Sequence, residues 1–177
     1  SKKIRLNIDN EFEYDENKKG LIDISFINSS TSFNYQKKEN SITFNSKNSK
    51  NKYDGLIEIK PFYLTANFNY DGLSSRNFFN DDSIIIDLIK SEIFKNDNLN
   101  ANLKFNIKNI TNIAELNKLF LNIDIKEGNI ELSNSSILWK DDLKISLEEC
   151  LLNYDENQIN LDGKITLDFI DLDNFYK

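Results

Sequence analysis

The amino-acid sequence predicts a mainly β protein built from antiparallel hairpins, with one or two short helices. Three observations carry this reading. Apolar and polar residues alternate along many short stretches, the period of a strand with one wet face. Clusters of Asn, Asp, Lys, Ser and Gly separate those stretches. The clusters are short, so consecutive strands turn back on one another instead of crossing over.

Each element follows in order. KIRLNIDNEFEY places Ile4, Leu6 and Ile8 on one parity, and GLIDISF places Ile22, Ile24 and Phe26. SFNY and SITF are shorter alternating pieces on either side of KKEN. GLIEIKPFYLTANFNY carries Ile57 and Ile59, then Ala66, Phe68 and Tyr70. Its Pro61, the one proline of the chain, implies an edge, a bulge or a strand break, because it lacks an amide donor. NLNANLKFNI aligns Leu99, Ala101, Leu103, Phe105 and Ile107, and LFLNIDI aligns Leu119, Leu121, Ile123 and Ile125. NIEL, SILW, LKISL and CLLNY follow. The last is INLDGKITLDF, with Ile159, Leu161, Ile165, Leu167 and Phe169 on one side and Gly163 in the gap.

Two stretches read as helical. Ile85, Leu88, Ile89 and Phe94 approach helical spacing, and Asp81, Asp82 or Ser83 can cap them, which predicts a helix at about 82–95. TNIAELNKLF, with Thr111 as cap, fits a short helix or turn over 111–120. A weak repeat also runs through the chain: Gly20 and Gly55 are 35 residues apart, as are Gly128 and Gly163. It predicts a unit of two strands per repeat, in copies over about 1–80 and 99–177 of a single β-rich segment.

Composition narrows the function classes. With 177 residues the chain suits one ordinary domain. A net charge of -7 lacks the basic footprint of a nucleic-acid binder and opposes broad docking on anionic head groups. The greasiest run, SIIIDLI, is far short of the ~20 apolar residues a membrane helix needs, and no signal peptide is evident. The chain has no Met and begins at Ser1, so it reads as a piece of a longer protein, which leaves room for an anchor or targeting segment outside it. The lone Cys150, beside Leu151 and Leu152, reads as a buried structural thiol.

No constellation announces chemistry. The chain has no His, which removes the commonest general base and the usual zinc ligand. It has no glycine-rich phosphate loop and no CxxC, so no cofactor is expected. Asp81–Asp82, Asp141–Asp142 and Glu148–Glu149 fall at turns or on wet parities, where solvated charge is ordinary. Asp168, Asp171, Asp173 and Asn174 lack the glycine and distal Glu of a calcium loop. Tyr and Phe are dispersed and meet only two arginines, Arg5 and Arg76, too few for a base-stacking platform.

What remains is an amphipathic sheet. Its greasy face either closes against a second sheet as a sandwich core or stays open to acyl chains, and alternation suits both. Residues about 99–177 resemble the AsmA-like family of Gram-negative bacteria. The stretches carrying the likeness are NLNANLKFNI, LNIDIKEGNIELSNSSILW and INLDGKITLDFIDLDNFY. The resemblance implies a long curved antiparallel sheet of hairpin repeats forming a groove, in a periplasmic protein anchored in the inner membrane through a segment outside this chain. It also implies a non-enzymatic role in phospholipid passage between the two membranes and in outer-membrane assembly, with no catalytic residues to carry over. On this reading phospholipid acyl chains are the partner, and the lining residues are Leu103, Phe105, Leu121, Ile123, Ile137, Trp139, Ile145, Leu147, Ile165 and Leu167. A structural or adhesion-type β-sandwich with a closed core is the alternative.

Overall fold

A computed structural model describes residues 4–12, 18–26, 29–47, 51–75, 96–155 and 158–175. The expected helix at about 82–95 lies outside the described residues. The described residues are mainly β: twelve strands and one short helix. The chain divides into two compact units, Ser1–Phe68 and Asn69–Lys177, and passes from one to the other inside a single strand.

The first unit is a meander. β1 (Ile4–Phe12), β2 (Lys18–Phe26), β3 (Ser29–Lys38), β4 (Ser41–Ser46), β5 (Asn51–Ile59) and the first half of β6 (Phe62–Ser74) lie side by side in chain order. Each of the first four ladders is antiparallel, as short connections demand. Pro61 falls in the turn between β5 and β6, so it marks a strand break, and the Lys60–Pro61 bond is cis.

Aromatic residues hold this unit's apolar side. The Phe33 ring lies 4.9 Å from Tyr53 and 5.9 Å from Phe44, the latter edge-on, and Tyr53 in turn lies 6.2 Å from Phe68. These are the spacings at which aromatic pairs attract. Gly55 stands directly opposite Phe44 in the ladder. A Cβ there would overlap the Phe44 ring and lie 2.5 Å from the Thr65 carbonyl oxygen. The glycine is thus the floor on which the phenyl ring rests, an aromatic covering a strand position that has no side chain of its own.

The second unit continues from the end of β6 through β7 (Ala101–Thr111), β8 (Leu116–Lys126), β9 (Asn129–Glu131), β10 (Ser135–Trp139), β11 (Leu143–Asp155) and β12 (Gln158–Phe169), closing with α1 (Leu172–Phe175). The sequence suggested a helix or turn over 111–120. The structure shows a turn at 112–115, with Leu116–Phe120 already extended in β8. The apolar run Leu119, Leu121, Ile123, Ile125 has strand period, and it extends the strand back through Leu116 against any local helical preference.

β9 and β10 are two pieces of one strand position, both lying between β8 and β11. The break at 132–134 takes backbone groups out of the ladder, and two serines repair it. Ser135 Oγ accepts from the Asn122 amide at 2.9 Å and donates to the Asn122 carbonyl at 3.3 Å. Ser133 Oγ accepts from the Cys150 amide at 3.1 Å. Both serines are buried, as hydroxyls that substitute for ladder partners must be. Two further irregularities sit at Lys118 and Glu149. Both have positive φ, and each coincides with a register shift in its ladder, which identifies them as bulges.

From Gly20 in β2 to Gly55 in β5 the chain makes three strand steps, and Gly128 lies in a turn while Gly163 lies inside β12.

Two substitutions test this packing. Gly55→Val improves strand propensity yet should lower stability by about 1–3 kcal/mol, because its side chain must displace the Phe44 ring. Ser135→Ala should cost about 1–3 kcal/mol by leaving the Asn122 amide unpaired. Urea unfolding of each variant measures both; a stabilised Gly55→Val would contradict the packing argument.

Candidate functional site

Alternation puts every second side chain of a strand on one face, and register decides whether neighbouring strands agree. In the second unit they do. β7 and β8 pair Leu103 with Ile123, Phe105 with Leu121 and Ile107 with Leu119. β10 and β11 pair Ile137 with Ile145 and Trp139 with Leu143. β11 and β12 pair Ile145 with Leu167, Leu147 with Ile165 and Leu143 with Phe169. Ser136 stands opposite Phe120 on the other face, a register that puts the adjacent Ile137 of β10 on the same side as Leu119 and Leu121 of β8. The ten residues singled out from the sequence therefore share one apolar face.

That face includes more than those ten. Ile107, Leu119, Leu143 and Phe169 belong to the same rows. At the far end Ala101, Ile125, Ile130, Leu152 and Leu161 form a further row across five strands. Their parity was visible in the sequence, but the bulge at Glu149, which lets Leu152 rejoin the face, was not.

Cover varies along the face. Phe105 is 9 % exposed and Ile107 2 %. Leu103, Leu121, Ile123, Ile137, Trp139, Ile145 and Leu147 are half-buried. On β12 the side chains stand open: Ile165 is 58 % exposed, Leu167 52 % and Phe169 48 %. The face is thus sealed at β7 and bare at β12.

Gly163 and Cys150 lock β12 to β11. A Cβ on Gly163 would lie 2.6 Å from both the Cα and the Sγ of Cys150, so the sulfur fills the space a side chain would take. Cys150 is fully buried, and its one S–H is within reach of two acceptors, the carbonyl oxygens of Glu148 at 3.4 Å and Lys164 at 3.5 Å. The expectation of a structural thiol is met.

The opposite face carries charged and amide side chains, with Phe120 and Leu138 among them. Lys164 Nζ donates to Glu148 Oε2 at 2.6 Å and Thr166 Oγ1 donates to Oε1 at 2.9 Å, so both carboxylate oxygens are engaged across the β11–β12 ladder. Lys118 pairs with Asp141 at 2.8 Å and Lys108 with Asp71 at 2.6 Å. Asn102 Nδ2 donates to Asn122 Oδ1 at 3.1 Å. The Lys164 and Thr166 hydrogen bonds hold the Glu148 carboxyl below its ordinary value, and the same contact raises Lys164.

Asp171, considered above as an oxygen ligand, instead caps α1. Its side chain accepts from the Asn174 amide at 3.0 Å and its carbonyl from the Phe175 amide at 3.1 Å. The helix then sets Phe175 edge-on to Phe169, 5.1 Å away. Among the described residues no group of three His, Cys, Asp or Glu is placed to hold a metal, and no described helix is long and apolar enough to cross a membrane.

The site therefore offers apolar area on one side and engaged charge on the other. Comparisons of the chain with family models, with curated proteins and with solved structures return no match.

The Glu148 contact has a pH signature. A lowered carboxyl stabilises the fold above the ordinary glutamate range, and that contribution is lost as pH falls through the folded value; a raised lysine contributes below its ordinary value of 10.5 and is lost as pH rises through the folded one. Carbon-detected NMR titration should place the Glu148 carboxyl below the ordinary glutamate value of 4.5, and Lys164→Met with Thr166→Val should return it to that value. An unmoved titration would mean that these hydrogen bonds do not persist in solution.

Proposed function

We propose that the apolar face of the second unit is a bed for phospholipid acyl chains, in an AsmA-like, non-enzymatic segment of the bacterial envelope. The carrying observation is the exposure of Ile165, Leu167 and Phe169 in register with the half-buried residues of β8, β10 and β11. Exposed apolar side chains scattered singly are ordinary, but a contiguous row on one face is what a soluble domain avoids unless something covers it.

The energetics suit a lipid tail. At ~0.8 kcal/mol per CH₂, an acyl chain of about 16 carbons gains on the order of 10 kcal/mol when it leaves water for such a surface, and no catalytic side chain is needed. The polar parity, with Glu148, Lys164 and Thr166 tied to one another, would face the aqueous periplasm. Anchorage in the inner membrane, passage of phospholipid toward the outer membrane and a part in outer-membrane assembly belong to this reading through the family resemblance.

A structural or adhesion-type module is the second reading. The closure of Phe105 and Ile107 favours it, because that end of the face is already a protein core.

Lipid extraction followed by native mass spectrometry separates the two readings. The lipid reading expects co-purifying phospholipid and its loss in Ile165→Asp with Leu167→Asp, while circular dichroism stays that of the parent. It also expects photo-crosslinks to lipid from probes at Leu121 and Ile165. Lipid-free protein with no crosslink from either position would reject it in favour of the closed module.

A further inference from the structure

Among the described residues β12 pairs only with β11, and no described strand lies along its other edge. The direction of its backbone groups can be read from two contacts. The Lys164 carbonyl oxygen lies 3.5 Å from Cys150 Sγ on β11, and the Ile170 amide donates to the Asp142 carbonyl on the same side. Even-numbered residues thus aim their backbone groups at β11. Ile159, Leu161, Gly163, Ile165 and Leu167 aim theirs outward.

An open edge of this length is adhesive unless a proline, a bulge or like charge blunts it. β12 contains no proline, and the bulge in the β11–β12 ladder is carried by β11 at Glu149. The charges flanking Gly163 have opposite sign, Asp162 on one side and Lys164 on the other.

We propose that β12 pairs antiparallel with β12 of a second copy of this chain, about a two-fold axis through Gly163. This register sets Leu161 opposite the second copy's Ile165, and Ile159 opposite its Leu167, each twice by symmetry. It sets Asp162 opposite the second copy's Lys164, also twice. Lys164 then lies between Glu148 of its own chain and Asp162 of the other. Apolar residues meet apolar ones on one face and opposite charges meet on the other, the pairs that stabilise a ladder.

Other registers are worse. A slip by one residue sets the apolar parity of one copy beside the polar parity of the other. An axis through Asp162 or Lys164 opposes like charges. An axis through Thr166 also pairs Lys164 with an aspartate, Asp168, but it shortens the ladder to Gly163–Phe169 and leaves Ile159 and Leu161 outside it. The axis through Gly163 engages Gln158–Asp168. The pairing concerns the strand edge and is independent of what covers the apolar face.

Analytical ultracentrifugation of the 177-residue chain tests this, with a dimer of twice 20.7 kDa expected. Asp162→Lys opposes two lysine pairs and should weaken association by roughly tenfold or more. Lys164→Asp opposes two aspartate pairs and should do the same. Mixed in equal amounts, these two variants restore both opposite-charge pairs and should form a heterodimer that neither forms with itself. Ile165→Pro removes one outward amide without touching the β11 ladder and should also give a folded monomer by circular dichroism. This variant keeps the proposal testable if Lys164→Asp, which loses Glu148, fails to fold. A parent chain that stays monomeric across the accessible concentration range overturns the proposal. So does an Asp162→Lys chain that still dimerises, since only the Gly163 axis places that residue opposite a lysine.

Discussion

The structure depends on cross-strand register. Each strand has a greasy parity, but a parity is worth little until its neighbours present the same one. A slip of one residue in any ladder would turn a whole strand's apolar set to water. In the second unit Ile137, Ile145 and Leu167 meet in one row across β10, β11 and β12, and Leu147 meets Ile165 in the next. At ~25 cal/mol for each Å² of apolar surface removed from water, agreement of such rows outweighs the loss of a few ladder hydrogen bonds at the irregularities.

Those irregularities keep the register in step. Lys118 and Glu149 each take a left-handed conformation, and each lies where the pairing shifts. Beyond Glu149 the shift brings Leu152 opposite Leu161 and Ile130, back onto the apolar face, and leaves Leu151 exposed on the other. The break between β9 and β10 works similarly, with Ser133 and Ser135 supplying the hydrogen bonds that the missing ladder would have made. A sheet that carries a continuous apolar face across unequal strands needs such corrections, and small polar residues can make them without bulk.

The same logic bears on the proposed lipid bed. On that reading the face acts through its area, which suits molecules that are themselves mostly hydrocarbon. Sealing at Phe105 and Ile107 anchors the face in a core, while the bare side chains of β12 leave surface for something else to cover. Glu148, Lys164 and Thr166 link β12 to β11 from the wet side, opposite its bare apolar side chains.

By itself the sequence determined the β class, the antiparallel hairpins and the apolar parity of each strand; that ten of the apolar residues share one face was decided by register. It also marked Cys150 as a buried thiol and Pro61 as an interruption. These follow from short-range physics: period two, turn chemistry and the missing amide of proline. The tertiary structure decided the rest. It made 116–120 strand, because pairing of Leu119 and Leu121 with β7 overrides a local helical pattern. It rested Phe44 on Gly55. It decided which part of the apolar face is sealed and which is bare. Alternation is identical in a covered strand and an open one; only the neighbours along and above the sheet distinguish them.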